Sequence, residues 1–126
     1  MSIVSIGLDA TEIDRIAATV ERYGTRFLER IFTDGERAYC LRRRRPAQHL
    51  AARFAAKEAG MKALGTGHSQ GVLWREIEVF RTSGPPQLRF HGEAERRLHR
   101  LGADRALLTL THSQTLAIAQ VVLLRS

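Results

Sequence analysis

Residues 50–67 read LAARFAAKEAGMKALGTG, and the stretch carries an oddity. The chain has 20 basic residues, yet only Lys57 and Lys62 are lysines, and both stand here on either side of Glu58. Alanine and larger apolar residues dominate around them. With Pro46 before the run and Gly65 after it, the composition predicts a helix over residues 47–64. Taking Leu50 as origin at about 100° per residue, Phe54, Met61 and Leu64 fall within about 40° of it and form one apolar stripe. Lys57 lies inside that stripe, at about 20°, with Glu58 and Lys62 on one flank at about 80° and 120° and Arg53 on the other. A lysine in an apolar stripe must be paired or must snorkel, because burying an isolated charge is costly. A surface pair between Glu58 and Lys62, with Lys57 snorkelling, accounts for these charges but contributes only about 0.3–0.5 kcal/mol.

Two neighbours of the stretch suggest another use. The helix ends in Gly65-Thr66-Gly67, whose backbone N–H groups can approach an oxyanion closely. The chain also begins with an apolar strand, Ile3, Val4 and Ile6 up to Gly7, that delivers Asp9 just past its end. Asp9 and Glu58 can share a metal ion, since one or two carboxylates with substrate phosphates is the usual magnesium arrangement.

Elsewhere the periodicity divides the chain in two. ATEIDRIAATVERYG predicts a helix with Thr11 as N-cap, Ile13, Ile16 and Val20 at helical spacing, and Gly24 as the stop. TRFLERIF predicts a short helical turn, and TDGERAYCLRRRR a third helix, with Thr33 and Glu36 in the spacing of a capping box. From residue 71 the period drops from about 3.6 to 2. EIEVFR and LRF predict strands around the turn TSGPPQ, HGEAERRLHRLGAD predicts a helix ended by Gly102, and ALLTLTHSQTLAIAQVVLL predicts two strands joined around residues 112–115. The expected class is α+β, with N-terminal helices packed on a mostly antiparallel sheet.

At 126 residues the chain has room for a proper core but not for two, so one domain over 1–126 is expected. No apolar run approaches the ~20 residues that span a bilayer, and the N-terminus lacks a signal-peptide pattern. The single cysteine, Cys40, fits a reducing cytoplasm and reads as a packed helix residue. The formal net charge of +7 sits entirely in residues 15–62, which hold 12 basic and 5 acidic side chains. Such a face attracts an anionic partner, whether nucleic acid, a phosphorylated small molecule or an acidic protein.

The pieces IGLDATEIDRI (6–16), RFLERIFTDGERAYC (26–40), LAARFAAKEAGMKALGTG (50–67), WREIEVF (74–80), GPPQLRF (84–90) and LTLTHSQTLAIAQVVL (108–123) occur in an order that resembles the holo-[acyl-carrier-protein] synthases, the small 4′-phosphopantetheinyl transferases. The resemblance implies transfer of the 4′-phosphopantetheine arm of coenzyme A to a serine of apo-acyl carrier protein, with release of adenosine 3′,5′-bisphosphate, in fatty acid synthesis. It implies magnesium held by Asp9 and Glu58, with Glu58 also orienting or deprotonating the serine and Lys62 stabilising the leaving group. It implies coenzyme A contacts from Arg53, Lys57, Lys62, Gly65, Thr66 and His112, with support of Glu58 as the other role for Lys57. A polar turn residue is the other reading of His112. Docking of an acidic carrier protein falls to Arg15, Arg22, Arg26 and Arg30, with no fixed role for Arg42–Arg45. The family forms trimers with active sites between subunits, and AIAQVVLL fits, since it would otherwise leave an apolar face exposed.

Two alternatives stand beside this reading. The same chemistry can serve polyketide or peptide carrier domains, with partner choice set by the arginine face. A nucleic-acid-binding module would use the arginine-rich half. No aromatic-interleaved basic strand, zinc spacing or recognisable reading helix supports it, so neither nucleic acid nor membrane is an expected partner.

Overall fold

The first strand is longer than its apolar start suggests. In the computed structural model, which describes residues 1–67 and 70–126, β1 runs Ser2–Glu12 and carries Asp9 within it, not past its end. The reason is long-range. The last strand, β5 (Leu116–Arg125), pairs antiparallel with β1 as far as Glu12↔Leu116, and Asp9 stands opposite Ala119. This pairing also keeps Thr11 extended, so Glu12 and not Thr11 is the N-cap of α1 (Ile13–Tyr23). The Thr11 hydroxyl instead donates to Asp9 Oδ2 at 2.8 Å.

Gly24, at φ 56°, separates α1 from α2 (Thr25–Ile31). The expected capping box opens α3 (Asp34–Leu41): Thr33 Oγ1 accepts from Glu36 N, and Glu36 Oε1 accepts from Thr33 N. The helix stops at Leu41, so the four arginines lie outside it and form the bend before Pro46. Proline disfavours helical backbone in the residue before it, and Arg45 is accordingly non-helical. Pro46 then starts α4 (Pro46–Leu64), which ends at Gly65 in the left-handed region. A 3₁₀ turn at Trp74–Glu76 precedes β2 (Ile77–Phe80) and β3 (Gln87–Phe90); α5 (Gly92–Arg100), β4 (Arg105–His112) and β5 follow. The strands form two antiparallel sheets, β1-β5-β4 and β2-β3, so the α+β class holds, with the sheet in two pieces.

Helix α4 lies across the inner face of β1 and β5 with nearly all its alanines buried. Gly7 permits the approach: a Cβ there would fall on the carbonyl oxygen of Ala59 and within 2.8 Å of Ala63 N. Ser5 Oγ donates to Ala63 O at 2.6 Å on the same face. One apolar cluster joins the C-terminal half of α4 to β2, α5 and β5; a second joins its N-terminal half to Ile13, Ile16, Leu28, Ile31 and Phe32. Cys40 is packed in the second cluster, and burial pushes its thiol up to about 11, so it is an inert core residue. The other face of the three-stranded sheet is apolar and open. Register places Ile6, Val122 and Leu107 in one row across all three strands, with Ile6 55% and Leu107 48% exposed.

Candidate active site

The strand's two-residue period and the helix's rotation bring three expected groups together. Ser5, Gly7, Asp9 and Thr11 alternate toward α4. Because Gly7 sits against Ala59, Asp9 arrives beside Glu58 one position earlier on the helix. Asp9, Glu58 and Arg15 line one cleft of about 230 Å³, together with Ile16, Phe27 and Phe54. Asp9 is only 15% exposed at its side chain. Its Oδ1 accepts from Lys62 Nζ at 3.1 Å, and Lys62 also donates to Leu8 O at 3.0 Å. Lys62 is therefore paired with the strand carboxylate, an arrangement spacing along the helix does not reveal.

Lys57 is placed differently. Its side chain is fully buried, and its three N–H groups go to Glu36 Oε1 at 2.7 Å, Ile77 O at 2.6 Å and Trp74 O at 3.1 Å. Burial draws its pKa below the ordinary lysine value, and Glu36 opposes that shift. The expected coenzyme contact at Lys57 is thus corrected, because an ammonium has three donors and all three are spent inside. Glu36 is the residue that sequence reasoning misses here: its spacing predicts only a local cap, yet its second oxygen also accepts from Val79 N at 2.7 Å. Its capping-box spacing was visible, but not the ion pair across 21 residues.

The end of α4 also differs from expectation. Gly65 N donates to Lys62 O and Thr66 N to Met61 O, closing the helix, so these two N–H groups are not free for an oxyanion. Thr66 is buried, and its hydroxyl donates to Gly67 O. Arg97 Nε donates to Leu64 O at 3.0 Å, placing a guanidinium against the same helix end.

Arg53 stands in a second basic group. Its guanidinium carbon lies 4.0 Å from the ring centroid of Tyr39, as does that of Arg43, and Arg81 donates to the Tyr39 hydroxyl at 3.4 Å. Burial pushes the Tyr39 phenol up, but the three arginines outweigh it and hold it below the ordinary value. Burial together with Arg53, Arg43 and His112 lowers the pKa of His49. His112 itself is exposed at the end of β4 and not in the turn. Arg53 Nε is buried and, among the described residues, has no hydrogen-bond partner. Three guanidinium groups around one ring with no ion pair among the described residues form an anion-attracting surface. The expected docking residues Arg15, Arg22, Arg26 and Arg30 are all exposed on α1 and α2.

Among the described residues no cluster of three or more His, Cys, Asp or Glu side chains gathers, and no helix is long and apolar enough to cross a membrane. A larger groove of about 600 Å³ lies between β3, α5 and β4 and shares none of the cleft's residues.

A helix thus crosses a three-stranded sheet, with a strand carboxylate and a helix carboxylate on one cleft. Residues 5–119 match the 4′-phosphopantetheinyl transferase superfamily, to which the chain belongs. Among its relatives, holo-[acyl-carrier-protein] synthase of Solibacter usitatus is 48% identical over 96% of this chain and 98% of its own. The enzyme of the same name from Methylobacterium radiotolerans is 52% identical over 96% of this chain and 93% of its own. Of solved structures, holo-[acyl-carrier-protein] synthase of Neisseria meningitidis superposes with a TM-score of 0.89 at 31% identity, covering 98% of this chain and 100% of that one. The Bacillus anthracis synthase, solved in complex with CoA (3′,5′-ADP), gives 0.79 at 36% identity over 98% of each chain.

Proposed function

We propose that this chain is a holo-[acyl-carrier-protein] synthase that moves 4′-phosphopantetheine from coenzyme A to a serine of apo-acyl carrier protein, working as one domain over residues 1–126. The convergence of Asp9 and Glu58 on one cleft, with Lys62 paired to Asp9, carries the reading. Two hard carboxylate donors, with no cluster of three ligating side chains among the described residues, suit magnesium, which keeps waters and substrate phosphates in its shell. The cation, when bound by Asp9 and Glu58, would polarise the phosphorus and offset the charge developing on the pyrophosphate. Glu58 orients the attacking serine hydroxyl and accepts its proton, directly or through water. Lys62, in reach of the same cleft through Asp9, stabilises the departing 3′,5′-bisphosphate. Positioning and electrostatics do most of the work in such a transfer, because little covalent chemistry falls to the protein.

Arg53 and His112 serve the coenzyme's remaining phosphate, a role supported by the unpartnered Arg53 Nε. Gly65 and Thr66 line the coenzyme site through the shape of the turn. The exposed arginines of α1 and α2 dock an acidic carrier protein, and the open apolar row across β1, β5 and β4 supports assembly as a trimer. Fatty acid synthesis in the cytoplasm is the proposed setting.

The test is to incubate the protein with coenzyme A, magnesium and an apo-acyl carrier protein and to weigh the carrier protein. A mass gain of one phosphopantetheine, lost with a chelator and reduced at least 100-fold in Glu58→Ala, is expected. No gain with the parent protein, or a Glu58→Ala variant that works as well, would sink the assignment.

A further inference from the structure

Glu36 and Lys57 put a buried ion pair in the core that the proposed chemistry does not use. Replacing such a pair by apolar side chains of similar volume is often neutral or stabilising, so stability alone does not explain it. What an apolar pair lacks is direction. Thr33 N and Val79 N donate to Glu36, Lys57 donates to Trp74 O and Ile77 O, and the two side chains meet at 2.7 Å. These bonds come from the cap of α3, the 3₁₀ turn and β2, and together they allow α4 one rotation about its axis.

Glu58 is the next residue, about 100° around the helix. A rotational error of about 20° would move a carboxylate at the helix periphery by about 2 Å, while metal–oxygen distances tolerate a few tenths of an ångström. On the opposite side, Ser5 and Gly7 fix α4 against β1, which carries Asp9. A second link runs through Trp74. Its carbonyl accepts from Lys57, and its ring stacks on Phe54, centroids 5.0 Å apart, in the wall of the cleft.

We propose that Glu36 and Lys57 are positioning residues for Glu58, fixing the rotation of α4 so that its carboxylate stays on the cleft it shares with Asp9. This rests on the reading of Asp9 and Glu58 as a cation site. The test compares the parent with Lys57→Met, Lys57→Met/Glu36→Leu and Glu36→Asp, each at a temperature where circular dichroism shows it folded. Mn²⁺ binding is followed by electron paramagnetic resonance with coenzyme A present, and kcat and KM are measured for transfer. The double variant is expected to be more stable than Lys57→Met, yet to bind Mn²⁺ at least tenfold more weakly and to lose kcat by a similar factor. Its KM for the carrier protein should stay within twofold. Glu36→Asp, which keeps both charges, should fall between. Parent-like Mn²⁺ affinity and kcat in the folded double variant would overturn the proposal; if that variant does not fold, the same result in Glu36→Asp overturns it. A parent that binds no Mn²⁺ and transfers nothing would defeat the cation reading, and this proposal with it.

Discussion

Thr33 closes a local box and reaches beyond it. Its hydroxyl accepts from Glu36 N at 3.2 Å and donates to Glu78 Oε2 at 2.8 Å, tying α3 to β2. Loss of an N-cap hydroxyl usually costs about 1 kcal/mol, so Thr33→Ala should lower the unfolding free energy by about that much, seen as a lower urea midpoint with an unchanged m-value, and Thr33→Ser should stay close to the parent. An unshifted midpoint in Thr33→Ala would show that the box contributes nothing. The box was legible because both partners lie within four residues. What Glu36 does with its charge was not, because Lys57 and Val79 are reached only after the chain has folded back. The same limit governs Lys57. Its position in an apolar stripe requires a partner or a snorkelling chain, and residue spacing pairs Glu58 with Lys62 and leaves Lys57 to snorkel, whereas its partner comes from another helix.

At the scale of the element, β1 and α4 set the site together, and Gly7 is the point where they touch. Gly7→Ala would drive a methyl group into the Ala59 carbonyl, and backbone against backbone has no rotamer to relieve it. Overpacking typically costs about 1–3 kcal/mol, and a contact with rigid backbone belongs at the upper end of that range. Gly7→Ala should therefore melt well below the parent and, where still folded, should lose transfer activity as Asp9 moves away from Glu58. A variant with parent-like melting and activity would refute the close approach. Helices α2 to α5 were legible from period and caps because those signals are local. The strand end was not: Leu8–Glu12 alternates too weakly to announce a strand, and its extension depends on the pairing of Asp9 with Ala119 and Glu12 with Leu116. The turn after α4 shows a related limit. The N–H groups of Gly65 and Thr66 look available to a ligand until the carbonyls of Lys62 and Met61 are seen to accept from them.

The whole molecule shows an imbalance between the faces of its main sheet. Ala117, Ala119, Val121 and Leu123 of β5 point into the core, so the apolar run expected to lie open is half interior. What lies open is the row Ile6, Val122 and Leu107, continued by Leu8 at 57% exposure. Val122→Lys, at the centre of this row, is expected to leave the fold intact and to convert a trimer into single chains, read by size-exclusion chromatography with light scattering. Transfer activity should fall with it if each site borrows from a neighbour. A parent protein that runs as a monomer at working concentration would remove the trimer from the proposal.

The mid-strand seat of Asp9 has one more implication. A carboxylate on a loop can follow its ligand, trading conformational entropy for fit. Asp9 has ladder partners on both sides of it along β1, its Oδ2 is held by Thr11, and α4 is pressed against the strand two residues earlier. Its position is settled before any ligand arrives. On the proposed cation reading, the gap between Asp9 and Glu58 would then work as a gauge, selecting by ionic radius and coordination habit what can sit between them.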